Sequence, residues 1–483
     1  MMQSRFFVIA LFAAAFAAYL WGNVTNPVLC YDPAQMIFTV LGLTNTSPPF
    51  SEPGTFLDAW RLNLSRNMDP GGFTFLLRYW ALISTNHVWL RLLSVLFLGL
   101  GVFILYRLGV LLLRDRYLAG LLALFPLTNP VIAEWSLFPR AYGMEVCGVA
   151  WVSYLCYRPG LLRSRSGVFL SIAALSFFAT SRYSFLLTLS AFVFAFGIST
   201  AGQRRFSLRM LFLLCLPFVP ILIPLFYHLP ENRDYISQFI LSGKTLMETR
   251  DILRVNFGVP EALFQCIFFL AYAAQRGLGA LKGRHRIFFW FLVLLNLSFI
   301  PVSMAGYYPW YLTQRFTIAV NIASYISLIP SVAILLPLLR KSAGRPRLGI
   351  LGFLMAAAAL LSSISMFRFD PYSDTLSVIQ EAEREGRLSE KGYFSPAVYA
   401  EAKYLFEYGI LKGHQSYADK KIVTGLWIVD KKIADEVDYA VISRADAGAL
   451  ALFEEHPAFV REKKRFYHLE YFVRKQGGLP GRP

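Results

Sequence analysis

The chain has 483 residues, of which 56% are hydrophobic, and a formal net charge of +17. Soluble domains average about 45–50% apolar by a similar count, so a wholly soluble protein of this length is excluded. From Arg368 to the end there are 18 basic and 18 acidic residues, so the whole positive excess lies in residues 1–367, among the apolar runs. A nucleic-acid binder would concentrate that charge in a polar domain instead.

Eleven apolar runs predict spanning helices at 5–21, 90–111, 117–134, 140–157, 167–181, 183–199, 210–228, 259–276, 286–304, 317–339 and 348–366. Runs of about 20 apolar residues match a hydrocarbon core about 30 Å thick. The first run follows Arg5 and is read as a retained helix rather than a cleaved leader. With the N-terminus in the cytoplasm, every second loop is short and basic. These loops carry Arg114 and Arg116; Arg158, Arg163 and Arg165; Arg204, Arg205 and Arg209; Arg276, Lys282, Arg284 and Arg286; and Arg340, Lys341, Arg345 and Arg347. That is the positive-inside pattern. The opposite loops are 22–89, 135–139, a turn at Arg182, 229–258 and 305–316, and an odd helix count leaves the C-terminus on their side.

Gly71 to Ser84 is apolar but short and contains Arg78, so it reads as an interfacial helix within the first outer loop, 22–89. The chain thus predicts a polytopic α-helical membrane domain, 1–367, and a small soluble extracytoplasmic α/β domain, 368–483. In the latter, helices are expected at 373–386, 395–408 and 445–455, and strands at 421–429, 438–443 and 466–474. The five cysteines form no CxxC motif and no disulfide framework. Three outer-loop sequons, beginning at Asn23, Asn45 and Asn63, matter only in a eukaryotic secretory setting. The compact outer domain and short loops lean toward a bacterial inner membrane.

Polar residues gathered on the outer side are the candidates for chemistry. Asp32 follows the first helix; a carboxylate beside an apolar wall suits a general base, and a turn before Pro33 is the structural alternative. Asp69 precedes the interfacial helix, where Asp-Pro also reads as a helix start. Arg140, Arg182 and Arg315 lie at outer helix ends, where topology does not call for positive charge. A guanidinium binds phosphate through a planar fork of donors; snorkelling, or pairing with Glu134 or Glu145, is the alternative. The six histidines show no ligand spacing to one another, and His228 with Glu231 is the one pair with some reach toward a metal or substrate.

In order and sidedness these features resemble the glycosyltransferase C (GT-C) superfamily, nearest to protein O-mannosyltransferases and lipid A aminoarabinose transferases. The motifs are Tyr31-Asp32 after helix one, Asp69-Pro70 before the interfacial helix, the run Trp89 to Ser94 with Arg91, Ser136-x-x-x-Arg140-x-Tyr142, and Arg315-Phe316. The pattern departs from the family where Pro33 follows Asp32, where Asp69-Pro70-Gly71 stands for a basic-Pro-Pro motif, and where Phe138 precedes Arg140 by two positions.

The resemblance implies inverting transfer of a sugar from a polyprenyl-phosphate donor to a lipid, glycan or protein hydroxyl. Asp32 would be the base, and Asp69, Arg140, Tyr142, Arg182 and Arg315 substrate-binding residues. It implies membrane lipids and no nucleic acid as partners, and leaves divalent-cation use open without assigning metal ligands. A transporter or flippase of lipid-linked sugars would show inverted repeats and midplane charge pairs, which the sequence lacks. A scaffold that kept the fold without the chemistry is the third reading.

Overall fold

The computed structural model describes residues 31–200 with a few positions omitted, 208–231, 259–276, 285–304, 318–342, 374–412, 422–424 and most of 431–475, together with a few residues before Tyr31. Its helices are α1 (Tyr31–Val40), α2 (Phe56–Leu62), α3 (Gly72–Ile83), α4 (His87–Leu113), α5 (Arg116–Leu124), α6 (Pro130–Trp135), α7 (Tyr142–Tyr157), α8 (Arg165–Ala179) and α9 (Phe185–Thr200). They continue with α10 (Leu208–Cys215), α11 (Val219–Glu231), α12 (Val259–Arg276), α13 (Arg286–Met304), α14 (Ile318–Ser342), α15 (Asp374–Arg384), α16 (Pro396–Glu407), α17 (Lys431–Glu436) and α18 (Ala447–Glu455). The strands are β1 (Gly392–Phe394), β2 (Ile422–Thr424), β3 (Tyr439–Ser443), β4 (Phe459–Arg461) and β5 (Leu469–Arg474).

The chain divides into two compact units: residues 1–23, 63–76 and 92–367 form one, and 24–62, 77–91 and 368–483 the other. The first outer loop is therefore split between them, where the sequence reading keeps it whole. The first and last expected spans, 5–21 and 348–366, lie almost wholly outside the described residues, as does Arg315.

Three described segments are long and apolar enough to cross a membrane: His87–Leu113, which belongs to the first unit from Leu92 on, and Arg209–Tyr227 and Ile318–Leu336, both in the first unit. The 27 residues of α4 reach about 40 Å at 1.5 Å per residue. Shorter apolar helices such as α8 and α9 pack beside them. The run expected at 117–134 is broken. Pro126 and Pro130 interrupt it, leaving α5, a 3-10 turn at Phe125–Thr128, and α6. Proline removes a donor and clashes with the preceding turn. Asn129 restarts the helix by accepting the Ile132 N–H at 3.1 Å. Close helix contact relies on small residues: a Cβ at Gly143 would stand 2.8 Å from the Ser94 carbonyl oxygen.

The second unit is built on a five-stranded sheet of order β2-β1-β3-β5-β4. β1 pairs parallel with β2 and β3, while β3–β5 and β5–β4 are antiparallel. Alternation along β3 sends Tyr439 and Val441 into one core with Val378, Leu405 and Tyr471, and Ala440 and Ile442 into another with Tyr393, Phe453 and Phe472. Both faces are thus covered, which explains the nearly unbroken apolar run of β3. The observed α15, α16, β3, α18 and β5 fall within the expected segments, and β2 lies inside the expected 421–429. The strands β1 and β4 and the helix α17 were not expected.

Loop segments complete this unit. Arg78 is buried and donates to the carbonyls of Val40 and Gly54, each at 2.7 Å. Arg91 donates to the carbonyl of Asn26. Trp80 and Trp89 stack with centroids 4.3 Å apart, each indole donating to the other's carbonyl. α3 occupies the expected interfacial segment, and its Tyr79, Leu82 and Ile83 are exposed.

Candidate functional site

The polar centre of the first unit is assembled by three turns. The first holds Asp69. One π-helical turn, Asn63–Asn67, brings the Asn63 amide to the Asp69 carbonyl at 2.9 Å, and Thr74 donates to the Asn63 side chain at 2.7 Å. Asn63 is fully buried, so its sequon is closed to modification in the folded chain. The helix does not start at Pro70 as Asp-Pro suggests. Gly71 first turns the chain at φ +98°, and α3 begins at Gly72. That φ strains any residue with a side chain.

The second turn is 136–141. Ser94, on α4, is buried and donates to the Phe138 carbonyl at 2.6 Å. The Trp135 ring packs edge-on against Phe138 and Tyr142, at 5.3 and 5.5 Å. Arg140 projects from this turn, half-buried, two residues before α7.

The third turn, 180–184, joins α8 to α9. Its Thr180 carbonyl accepts the Gly72 N–H at 3.1 Å, tying it to the Asp69 segment. The approach is close: a Cβ on Gly72 would lie 1.8 Å from Thr180 Oγ1.

From this turn Arg182 donates to Glu145 Oε2 at 3.2 Å and lies 4.4 Å over the Tyr142 ring. Ser184 donates to Glu145 Oε1 at 2.6 Å. Glu145 is fully buried, and Arg182 and Tyr142 nearly so. Asp69 interacts electrostatically with both Arg140 and Arg182. Burial pushes its carboxyl above the ordinary range, and the two arginines pull it part of the way back.

Of the six residues singled out in sequence, four therefore meet in one unit: Asp69, Arg140, Tyr142 and Arg182. Asp32 lies in the other unit, half-buried in the first turn of α1. Among the described residues, no group of three or more His, Cys, Asp or Glu side chains is placed to hold a metal ion.

Sequence reasoning missed a second buried polar network. Asn129 donates to Glu261 at 2.5 Å, and Gln265, one turn along α12, donates to Ser324 and accepts from Asn296, both at 2.7 Å. These bonds join α12 to α13, α14 and the break before α6, as polar side chains do between membrane helices. An acid inside an apolar run was the available signal.

No protein-family model matches the chain, and no curated protein matches it in sequence. Among solved structures, apo ArnT from Cupriavidus metallidurans aligns with 96% of this chain and 97% of its own, at TM-score 0.52 and 12% identity. The Archaeoglobus fulgidus oligosaccharyltransferase, in complex with Zn and sulfate, aligns with 98% of this chain and 74% of its own, at TM-score 0.47 and 12% identity.

Proposed function

We propose that this chain, which has the GT-C-type fold of a lipid A aminoarabinose transferase, is a membrane glycosyltransferase that moves a sugar from a polyprenyl-phosphate donor to an extracytoplasmic hydroxyl. The observation carrying this reading is the convergence of buried Asp69, Tyr142 and Arg182 with half-buried Arg140 in the first unit. Apolar helices surround a small set of fixed charges, and one arginine, Arg140, keeps partial access to solvent. A prenyl chain belongs in lipid, and its phosphate needs a cation where lipid ends.

In the proposed reaction the acceptor oxygen forms a bond to the anomeric carbon as the bond from that carbon to the phosphate oxygen breaks. The configuration inverts, and polyprenyl phosphate leaves. Asp32, assigned from its sequence motif, takes the acceptor proton. Arg140 and Arg315 bind the phosphate and stabilise the charge growing on it. Arg182, engaged with Glu145 and Tyr142, holds the turn that frames the donor. Asp69 orders the arginines and contacts the sugar.

The topology proposed with it has eleven spans, a cytoplasmic N-terminus and an extracytoplasmic C-terminal domain in a bacterial inner membrane. Asp32→Asn, assayed with a labelled polyprenyl-phosphate sugar, should lose about 10²–10⁴-fold in transfer while remaining folded. Full activity in that variant overturns the choice of base.

A further inference from the structure

The second unit contains a buried charge that its sheet does not require. Lys403 on α16 is fully buried, and Glu407, one turn on, is 2% exposed. The Lys403 ammonium donates to the carbonyls of Ser47, at 2.6 Å, and Thr44, at 3.2 Å. It stands 3.7 Å from Glu407 Oε1 and 5.1 Å over the Phe38 ring. Glu407 Oε1 in turn accepts the Phe50 N–H at 3.3 Å. On the same face, Tyr404 donates to the Thr85 carbonyl at 3.0 Å, and the Tyr408 ring lies 5.9 Å from Phe38. One helix of the C-terminal domain therefore holds the outer loop at residues 38, 44, 47, 50 and 85.

Such a pair is a poor way to gain stability. Desolvating an ammonium and a carboxylate offsets most of their attraction, and an apolar pair of the same size packs as well. Burial lowers the Lys403 amine from its ordinary value, and Glu407 partly restores it. What the pair supplies is register, since the Thr44 and Ser47 carbonyls meet the Lys403 ammonium and the Phe50 N–H meets Glu407 Oε1, and a shift of these residues along the chain breaks all three bonds. That segment follows directly on α1. The helix closes at Gly42, φ +71°, and the Thr44–Ser47 turn begins two residues later. α1 is a rod of 10 residues, about 15 Å long, and Asp32 sits in its opposite end. Fixing the 44–50 segment fixes the rod.

We infer that Lys403 and Glu407 are positioning residues for the transfer reaction, through which the C-terminal domain sets the placement of α1 and of Asp32. The inference rests on the function proposed above, so its test carries one readout that does not. In the full-length protein, Lys403→Met should speed amide hydrogen exchange at residues 43–50 by about 10-fold or more while the β3 amides stay protected. In donor kinetics, kcat should fall about 10- to 100-fold, as for a misplaced catalytic group, with KM within threefold of wild type. Lys403→Arg should recover part of both effects. Glu407→Gln keeps an acceptor for Phe50 and should show a smaller change in the same direction, which serves if Lys403→Met does not fold.

Unchanged exchange at 43–50 overturns the clasp. Faster exchange with unchanged kcat overturns the positioning role, as does a fall in activity that only tracks the folded fraction. A wild-type protein that transfers no sugar removes the functional reading and the positioning role together, and the exchange experiment then decides the clasp alone.

Discussion

In the membrane unit Arg140 is half-buried within electrostatic reach of Asp69, whereas in the other unit Lys403 is sealed, its ammonium given to two backbone carbonyls and to Glu407. Backbone carbonyls cannot leave, so a cation spent on them fixes geometry. A cation near a carboxylate and only half-buried can meet an incoming anion. Arg182 stands with Lys403 in this respect. It is 6% exposed, bonded to Glu145 and stacked on Tyr142. Under the proposed function, Arg182 therefore builds the cluster and Arg140 is the one to serve, although both read alike in sequence as outer arginines.

Loss of Arg182 should cost the most. Arg182→Met leaves Glu145 buried without its cation and should cost about 3–5 kcal/mol of stability, read as a lower unfolding temperature in detergent. An Arg182→Met protein as stable as wild type would move Arg182 to the serving side. Next comes the joint between turns. Gly72→Ala drives a methyl into Thr180 and should cost about 1–3 kcal/mol by overpacking. Adding Thr180→Gly removes both the Oγ1 and the Cβ that the methyl meets, so a double-mutant cycle should show recovery; additive losses would place the strain elsewhere.

The smallest effect is in pH dependence. Asp69 orders the arginines as a carboxylate, so its ionisation, raised by burial, should add a second step to the pH–rate profile, above the ordinary carboxylate range and beside the step set by the base Asp32. Arg140 holds that carboxyl down, so Arg140→Gln should move the second step to still higher pH, and Asp69→Asn should remove that step and leave the Asp32 step in place. An acid whose folded-state pKa is raised adds stability at low pH, which is lost as pH rises from the unfolded value, about 3.9, through the folded one. Unfolding temperatures of wild type and Asp69→Asn across that window should diverge in this sense.

Much of the fold was written in local periodicity. Long apolar helices, the short apolar α3 and the helices α15 and α16 announce themselves through residue patterns that span several turns. The strands β1 and β4 are three residues each, too short to carry a period, and exist because β3 and β5 are there to pair with. The break at Pro126 and Pro130 was legible in the prolines themselves.

The candidate site was legible in residue type and order but not in allegiance. Nothing local in the sequence separates Arg140 from Arg182, because the partner that claims Arg182 sits 37 positions away. Lys403 was wholly hidden: a lysine on an amphipathic helix reads as a solvated face, and its acceptors are more than 350 residues distant.

Under the proposed function, Arg140 serves a lipid-linked phosphate. The direct measurement is binding and turnover of a labelled polyprenyl-phosphate sugar by purified wild-type and Arg140→Gln protein in lipid nanodiscs. Wild type should bind and transfer, and Arg140→Gln should lose about 10²–10³-fold in transfer while remaining folded. A variant that transfers as well as wild type, or a wild-type protein that binds no polyprenyl phosphate, takes that role away from Arg140.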